Sequence, residues 1–238
     1  MYSVPDKTGR FQRRPHYSQG ELDAECEQVI SSFLLSRHRR IVYPVATDDL
    51  IHLLEQVAVV DQYADLKDES GNELWGVTEF EPGTSPLVKI SAKLSSAERF
   101  TNPFRTTLTH EFAHVKLHGP LFELKASSPG LFEGAEVVRQ QCKREQVESP
   151  AEYDWAEWQA GYCSGALLMP IGALRLSVTE FLKAAGLSVT GVPTNSNHGQ
   201  DLITVVSRKF EVSTLAAKVR LAKLGFLNAD DRQKYLLT

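Results

Sequence analysis

Five consecutive residues, His110-Glu111-Phe112-Ala113-His114, place two imidazoles and a carboxylate at a spacing suited to metal-assisted hydrolysis. Successive side chains on an α-helix are about 100° apart, so residues four apart differ by about 40° and reach one ion from adjacent turns. Phe104, Leu108, Phe112 and Val115 fall in a separate stripe about 80° wide, a core face that anchors the helix from behind. Glu111, turned about 100° from His110, flanks the ion instead of competing for it. Neutral imidazole nitrogens suit Zn²⁺, and a catalytic zinc keeps one position open for water. The ion lowers the pKa of that water and polarises a scissile carbonyl. A carboxylate beside it takes the proton and later delivers it to the leaving amine. Glu111 is thus the expected general base, His110 and His114 the expected metal ligands, and Zn²⁺ the expected cofactor.

A third protein ligand is needed. His118 lies one turn further on, before Gly119, where ligation stands beside a role as a C-terminal cap or as the partner that orients a ligand. The other source is a carboxylate from a second helix, and Asp154-Trp155-Ala156-Glu157-Trp158-Gln159-Ala160-Gly161 offers Glu157. His16, His38, His52 and His198 are isolated and read as surface or capping residues. Cys163 reads as a small buried apolar side chain.

The run His110-Glu111-Phe112-Ala113-His114-Val115-Lys116-Leu117-His118 resembles the H-E-x-x-H-x-x-x-H signature of the ImmA/IrrE family of zinc metallopeptidases. Glu157-Trp158-Gln159-Ala160-Gly161, running on to Leu167-Leu168-Met169-Pro170, is similar to that family's second motif, E-x-x-A-N-x-F-A-x-x-L-L-M-P. Gly161 stands in place of the usual Asn, and Cys163-Ser164 in place of Phe-Ala. Phe210-Glu211-Val212-Ser213, Arg220-Leu221 and Leu224-Gly225 resemble its C-terminal helix pair. The resemblance implies that Glu157 is the third ligand and that the protein is a zinc endopeptidase. It further implies a protein substrate, a helix-turn-helix transcriptional repressor cleaved in a stress or mobile-element response.

Other elements must hold these residues in place. Thr101-Asn102-Pro103 supplies a cap and an N1 proline for the first helix, and Gly119-Pro120 a stop. The second helix runs from about Asp154 to Met169, before Pro170. Ser18 and Glu21 have capping-box spacing ahead of a face of Leu22, Cys26, Val29, Ile30, Phe33 and Leu34, and Thr47-Asp48-Asp49 opens another helix. Segments 57–60, 75–80 and 87–90 are β-rich and separated by turn clusters, which predicts a small antiparallel sheet. Leu87–Ile90 is expected at its edge, where an extended peptide would add as a strand. Residues 121–150 read as an irregular insertion and 189–200 as a linker. The fold class is α+β, zincin-like. Its organisation is a flexible basic arm over 1–17, a catalytic domain over 18–200 and a C-terminal helical hairpin over 201–238, resembling a helix-turn-helix.

The 238 residues are 42% hydrophobic and 24% charged, which excludes a disordered or collagen-like chain. A formal charge of -4 gives no global basic field, against a nucleic-acid scaffold. From residue 201 onward seven basic residues face four acidic ones, weak support for phosphate binding, so direct DNA contact ranks below packing on the catalytic domain or docking a protein partner. Cys26, Cys142 and Cys163 are an odd, widely spaced set that fits reduced thiols. With no leader pattern and no apolar run of membrane length, a cytoplasmic protein without membrane association is expected. The alternative from another class is an antitoxin-like regulatory binding protein, its zinc structural and its C-terminal helices contacting a partner or DNA.

Overall fold

The capping box at Ser18 forms in the computed structural model. The Ser18 hydroxyl accepts from the Glu21 N–H, and the Glu21 carboxylate accepts from the Ser18 N–H at 2.9 Å, opening α1 (Gln19–His38). Thr47 opens α2 (Thr47–Glu55). The structure describes residues 2–81, 83–126, 138–142, 154–188 and 191–228.

Four strands, β3 (Val59–Ala64), β4 (Gly76–Phe80), β5 (Leu87–Ser91) and β6 (Val138–Cys142), make one sheet in the order β3-β5-β4-β6. β4 runs antiparallel to both neighbours, but β3 and β5 are parallel, with Val60 opposite Val88. The expected antiparallel sheet is therefore mixed. β5 pairs antiparallel with β4 on one side, and β3 takes its other side running in the same direction as β5. The second correction concerns the edge. β5 is bonded on both sides and Val88 and Ile90 are fully buried, as an interior strand requires, so Leu87–Ile90 offers no free edge to a peptide. The outer side of β4 is taken by β6, a strand that arises within the stretch read as an irregular insertion.

Residues read as a flexible arm instead form a hairpin, β1 (Tyr2–Pro5) with β2 (Arg13–His16). Asp6 Oδ1 accepts from Trp155 Nε1 at 3.0 Å, Arg10 pairs with Asp154 at 2.5 Å, and the Phe11 ring stands edge-on to Phe122 at 5.1 Å. These contacts fasten the hairpin to the start of the Glu157 helix and to Phe122.

After α3 (Ala92–Ser95) and a 3₁₀ turn, α4 (Thr101–Ala113) carries His110 and Glu111. Gly119-Pro120 does not stop the helical path. His114–His118 form a turn of π-helix, in which the Gly119 N–H reaches the His114 carbonyl five residues back, and α5 (Gly119–Ala126) follows directly. The wider turn leaves room for the Pro120 ring and makes no use of its missing N–H. Asp154 caps α6 (Trp155–Leu168) by accepting from the Ala156 and Glu157 N–H groups. Pro170 then caps α7 (Ile171–Ala184), a helix the sequence reading passed over.

β7 (Val192–Pro193) precedes α8 (Asn197–Phe210) and α9 (Thr214–Lys223), capped by Ser196 and Ser213, and pairs in parallel with β8 (Leu227–Asn228). The boundary expected at 200 falls inside α8. Leu202, Ile203, Val206, Phe210, Ala217 and Leu221 belong to the same core as Leu22, Ile30 and Leu108, so α8 and α9 are built into the domain instead of appended to it. Arg220 on α9 closes the assembly with a buried ion pair to Asp23 on α1 at 2.5 Å. The fold is α+β. Among the described residues no single helix is long and apolar enough to cross a membrane; α6 and α7 qualify only as a pair, bent by 57°.

Candidate metal centre

α4 and α6 lie side by side, stitched by polar bonds between their buried faces. The Thr109 and Ser164 hydroxyls are 2.7 Å apart, and Ser164 Oγ lies 3.0 Å from the Thr106 carbonyl. Ser164, a departure from the motif that the second helix resembles, thus serves helix packing directly.

This packing brings three side chains to one point. His110 Nε2 lies 3.1 Å from Glu157 Oε2 and 2.9 Å from His114 Nε2, while His114 Nε2 lies 3.3 Å from Glu157 Oε1. All three residues are buried, with exposures of 0%, 1% and 2% for His110, His114 and Glu157. Ligands about 2.0–2.1 Å from a tetrahedral ion stand about 3.3–3.4 Å apart, so the spacing fits a metal after a small outward adjustment. Two imidazole nitrogens and a carboxylate facing one another in a dry interior is a donor set that a divalent cation satisfies. Burial opposes ionisation of Glu157, but the adjacent imidazoles outweigh it and hold its carboxyl well below the usual range. Burial likewise opposes charge on His114, yet the Glu157 carboxylate raises its pKa. A metal binding here takes the place of that proton.

His118 does not join the group. Its Nδ1 lies 3.0 Å from His114 Nδ1 and its Nε2 lies 3.2 Å from Gln159 Oε1. Gln159 in turn donates its amide to the Pro15 carbonyl, which fixes its oxygen toward His118. Burial, reinforced by neighbouring His114, keeps His118 well below the ordinary histidine pKa, hence neutral near pH 7. A neutral His118 that donates from Nε2 to Gln159 must accept at Nδ1, so His114 donates from Nδ1 and keeps Nε2, the nitrogen facing Glu157, as the one a metal would take in place of a proton. His118 and Gln159 thereby set the tautomer that metal ligation by His114 requires. His110 has no such support, for its buried Nδ1 lacks a partner.

Glu111 is fully buried beside this cluster. Thr78 on β4 donates a short hydrogen bond to Oε2, while Oε1 has no partner. The strand comes this close because residue 76 is glycine. A Cβ there would overlap Oε1 and stand 2.9 Å from both Glu111 Cδ and Thr107 Cγ2. Burial raises the Glu111 pKa despite the nearby imidazoles and the Thr78 bond.

The structure therefore brings together His110, His114 and Glu157, with Glu111 alongside and His118 behind His114. Gln159, Thr78 and Gly76 were not foreseen. Gln159 sits on a recognisable helix, but no spacing rule links it to a residue 41 positions away, and β4 meets Glu111 only through tertiary packing. Among the isolated histidines, His38 Nε2 lies 2.8 Å from Asp49 Oδ2 and His52 pairs with Glu55, structural roles in both cases. Cys26 and Cys163 are free and buried. No protein-family model and no curated protein matches the chain.

Proposed function

We propose that the protein is a zinc-dependent endopeptidase with a zincin-like fold, of the kind its motifs resemble in the ImmA/IrrE family. His110, His114 and Glu157 are its ligands and Glu111 is its general base. The observation that carries this reading is the convergence of His110, His114 and Glu157 on one point, with the separate carboxylate of Glu111 held beside it by Thr78. A zinc ion bound there would polarise a peptide carbonyl and acidify a water molecule. Glu111 Oε2 is fixed by Thr78, which leaves Oε1 to accept a proton and return it to the leaving amine. Structural zinc sites have four protein ligands. Among the described residues the group contains three, and both ring nitrogens of His118 face other partners. The substrate class follows from the motif resemblance and is a helix-turn-helix transcriptional repressor. Buried free thiols accord with a reducing cytoplasm.

The second reading, a regulatory binding protein with a structural metal, draws on the near-complete enclosure of the cluster. Two substitutions separate them. Glu111→Gln keeps about one zinc per chain by elemental analysis and loses cleavage of a co-expressed repressor by about 10²–10⁴-fold, whereas Glu157→Ala loses the zinc. Full zinc occupancy in Glu157→Ala overturns the ligand set. A zinc-loaded wild type that cuts no repressor encoded beside it favours the binding protein.

A further inference from the structure

A cavity of about 250 Å³ opens between the first half of α4, the second half of α6, and α9. Its walls are mainly apolar, with Trp75, Leu168 and Met169 among them. Leu215 and Val219 on α9 also line it and stay 49% and 39% exposed, so its rim shows apolar surface to solvent. Two cationic side chains interrupt this surface, and both come from α9.

Arg220 is only 3% exposed. Its Nη2 pairs with Asp23 at 2.5 Å and it reaches the Met169 carbonyl at 3.4 Å, yet its buried Nη1 has no partner. Lys223, one helical turn along, lines the same cavity, with Nζ 5.4 Å from the Tyr162 ring centroid. Burial, with the Arg220 charge close by, holds the Lys223 ammonium below the ordinary lysine range. Asp23 balances one of the two positive charges, which leaves one uncompensated beside an apolar hollow. A buried donor without an acceptor is costly, and an anion held between Arg220 Nη1 and the solvent-exposed Lys223 relieves it.

We propose that this cavity binds a small carboxylic acid with an apolar body, its tail against Trp75, Leu168 and Val219 and its carboxylate at Arg220 Nη1 and Lys223 Nζ. One carboxylate matches the single uncompensated charge, and a volume of about 250 Å³, just below that of ordinary ligand cavities, admits only a small body. The cavity wall also includes His110, so the hollow adjoins the proposed metal centre; the inference rests on the α9 cations instead, and the Lys223 variant separates binding there from binding at a metal.

Octanoate, octanol and octylamine share a tail and differ only in the head group. Titrated into the 238-residue protein in a calorimeter, octanoate is expected to bind one to one with sub-millimolar affinity. Octanol binds at least tenfold more weakly and octylamine does not bind. Lys223→Gln, at an exposed position, weakens octanoate at least tenfold with an unchanged melting temperature. Ala216→Trp, which fills the cavity from α9, abolishes binding; circular dichroism confirms that the variant is folded. Equal affinity for octanol and octanoate, undiminished binding in Lys223→Gln, or no saturable binding by the folded wild type overturns the proposal.

Discussion

Gln159 touches no ligand atom, yet the hydrogen-bond chain through His118 makes it decide which nitrogen of His114 carries a proton. Gln159→Leu keeps the volume and removes the acceptor, so His118 loses its reason to donate from Nε2. We expect zinc affinity to fall by about 10–100-fold, the usual consequence of losing a partner that orients a metal ligand. Competition with a chromophoric chelator measures this, and unchanged affinity would show that His114 holds its tautomer without help. The placement of His110 and His114 together with Glu111 beside them was legible from the chain because H-E-x-x-H is a local pattern, fixed by helical spacing. Glu157 was one of two open candidates on spacing alone and was singled out as the expected third ligand only through the motif around it. Gln159, Thr78 and Gly76 were not legible. Each meets its partner across elements, and nothing in a lone glutamine, threonine or glycine announces which helix or strand will face it.

At the scale of elements, the capping box was readable and turns that keep the helix going were not. Ser18 caps as its spacing with Glu21 predicts, but the cap expected at Thr101-Asn102 lies inside α4, which starts after Phe100 without a side-chain cap and takes Pro103 as its third residue. Gly119-Pro120, an ordinary stop signal, is overridden by the π-turn before it, and the polar sequence of β6 lacks the alternation that marks a strand. The clamp joining α1, α6 and α9 was equally hidden, since Asp23 looks like one more acid on a solvated helix face. Tyr162 donates to Asp23 Oδ2 at 2.9 Å and Arg220 pairs with Oδ1. Asp23→Ala leaves a buried guanidinium without its counter-charge and is expected to cost about 3–5 kcal/mol in denaturant unfolding; a loss under about 1 kcal/mol would mean that the pair is worth no more than a surface bridge. Burial pushes the Tyr162 phenol up to about 12, with the Arg220 charge opposing and the bond to Asp23 reinforcing the shift. The neutral form is the one the fold holds. Its contribution is complete below the ordinary tyrosine pKa near 10 and disappears as pH rises through about 12. Between pH 9 and 12 the melting temperature of Tyr162→Phe should therefore fall less than that of the wild type.

For the whole molecule, α+β class followed from the mixture of helical and alternating patterns, while contacts that the division into arm, domain and appendage did not foresee join residues of all three. Basic, proline-containing residues 1–17 read as solvated, although Asp6, Arg10 and Phe11 each have a partner on α5 or α6 or at the cap of α6. Residues 201–228 read as separable because a polar, glycine-containing stretch precedes them, while their apolar face supplies one side of the common core. A chain ending at residue 200 should accordingly show no cooperative thermal transition by circular dichroism and poor dispersion by NMR. A well-folded fragment would restore the appendage. The Asp23–Arg220 pair carries a further consequence, in time. Its partners are 197 positions apart. At synthesis rates of about 5–20 residues per second, Asp23 waits roughly 10–40 s for its counter-ion. The helix that opens most decisively from its own sequence is thus among the last to be locked. The nascent chain carries His110, His114 and Glu157 out of the ribosome before the clamp on their supporting helices has closed.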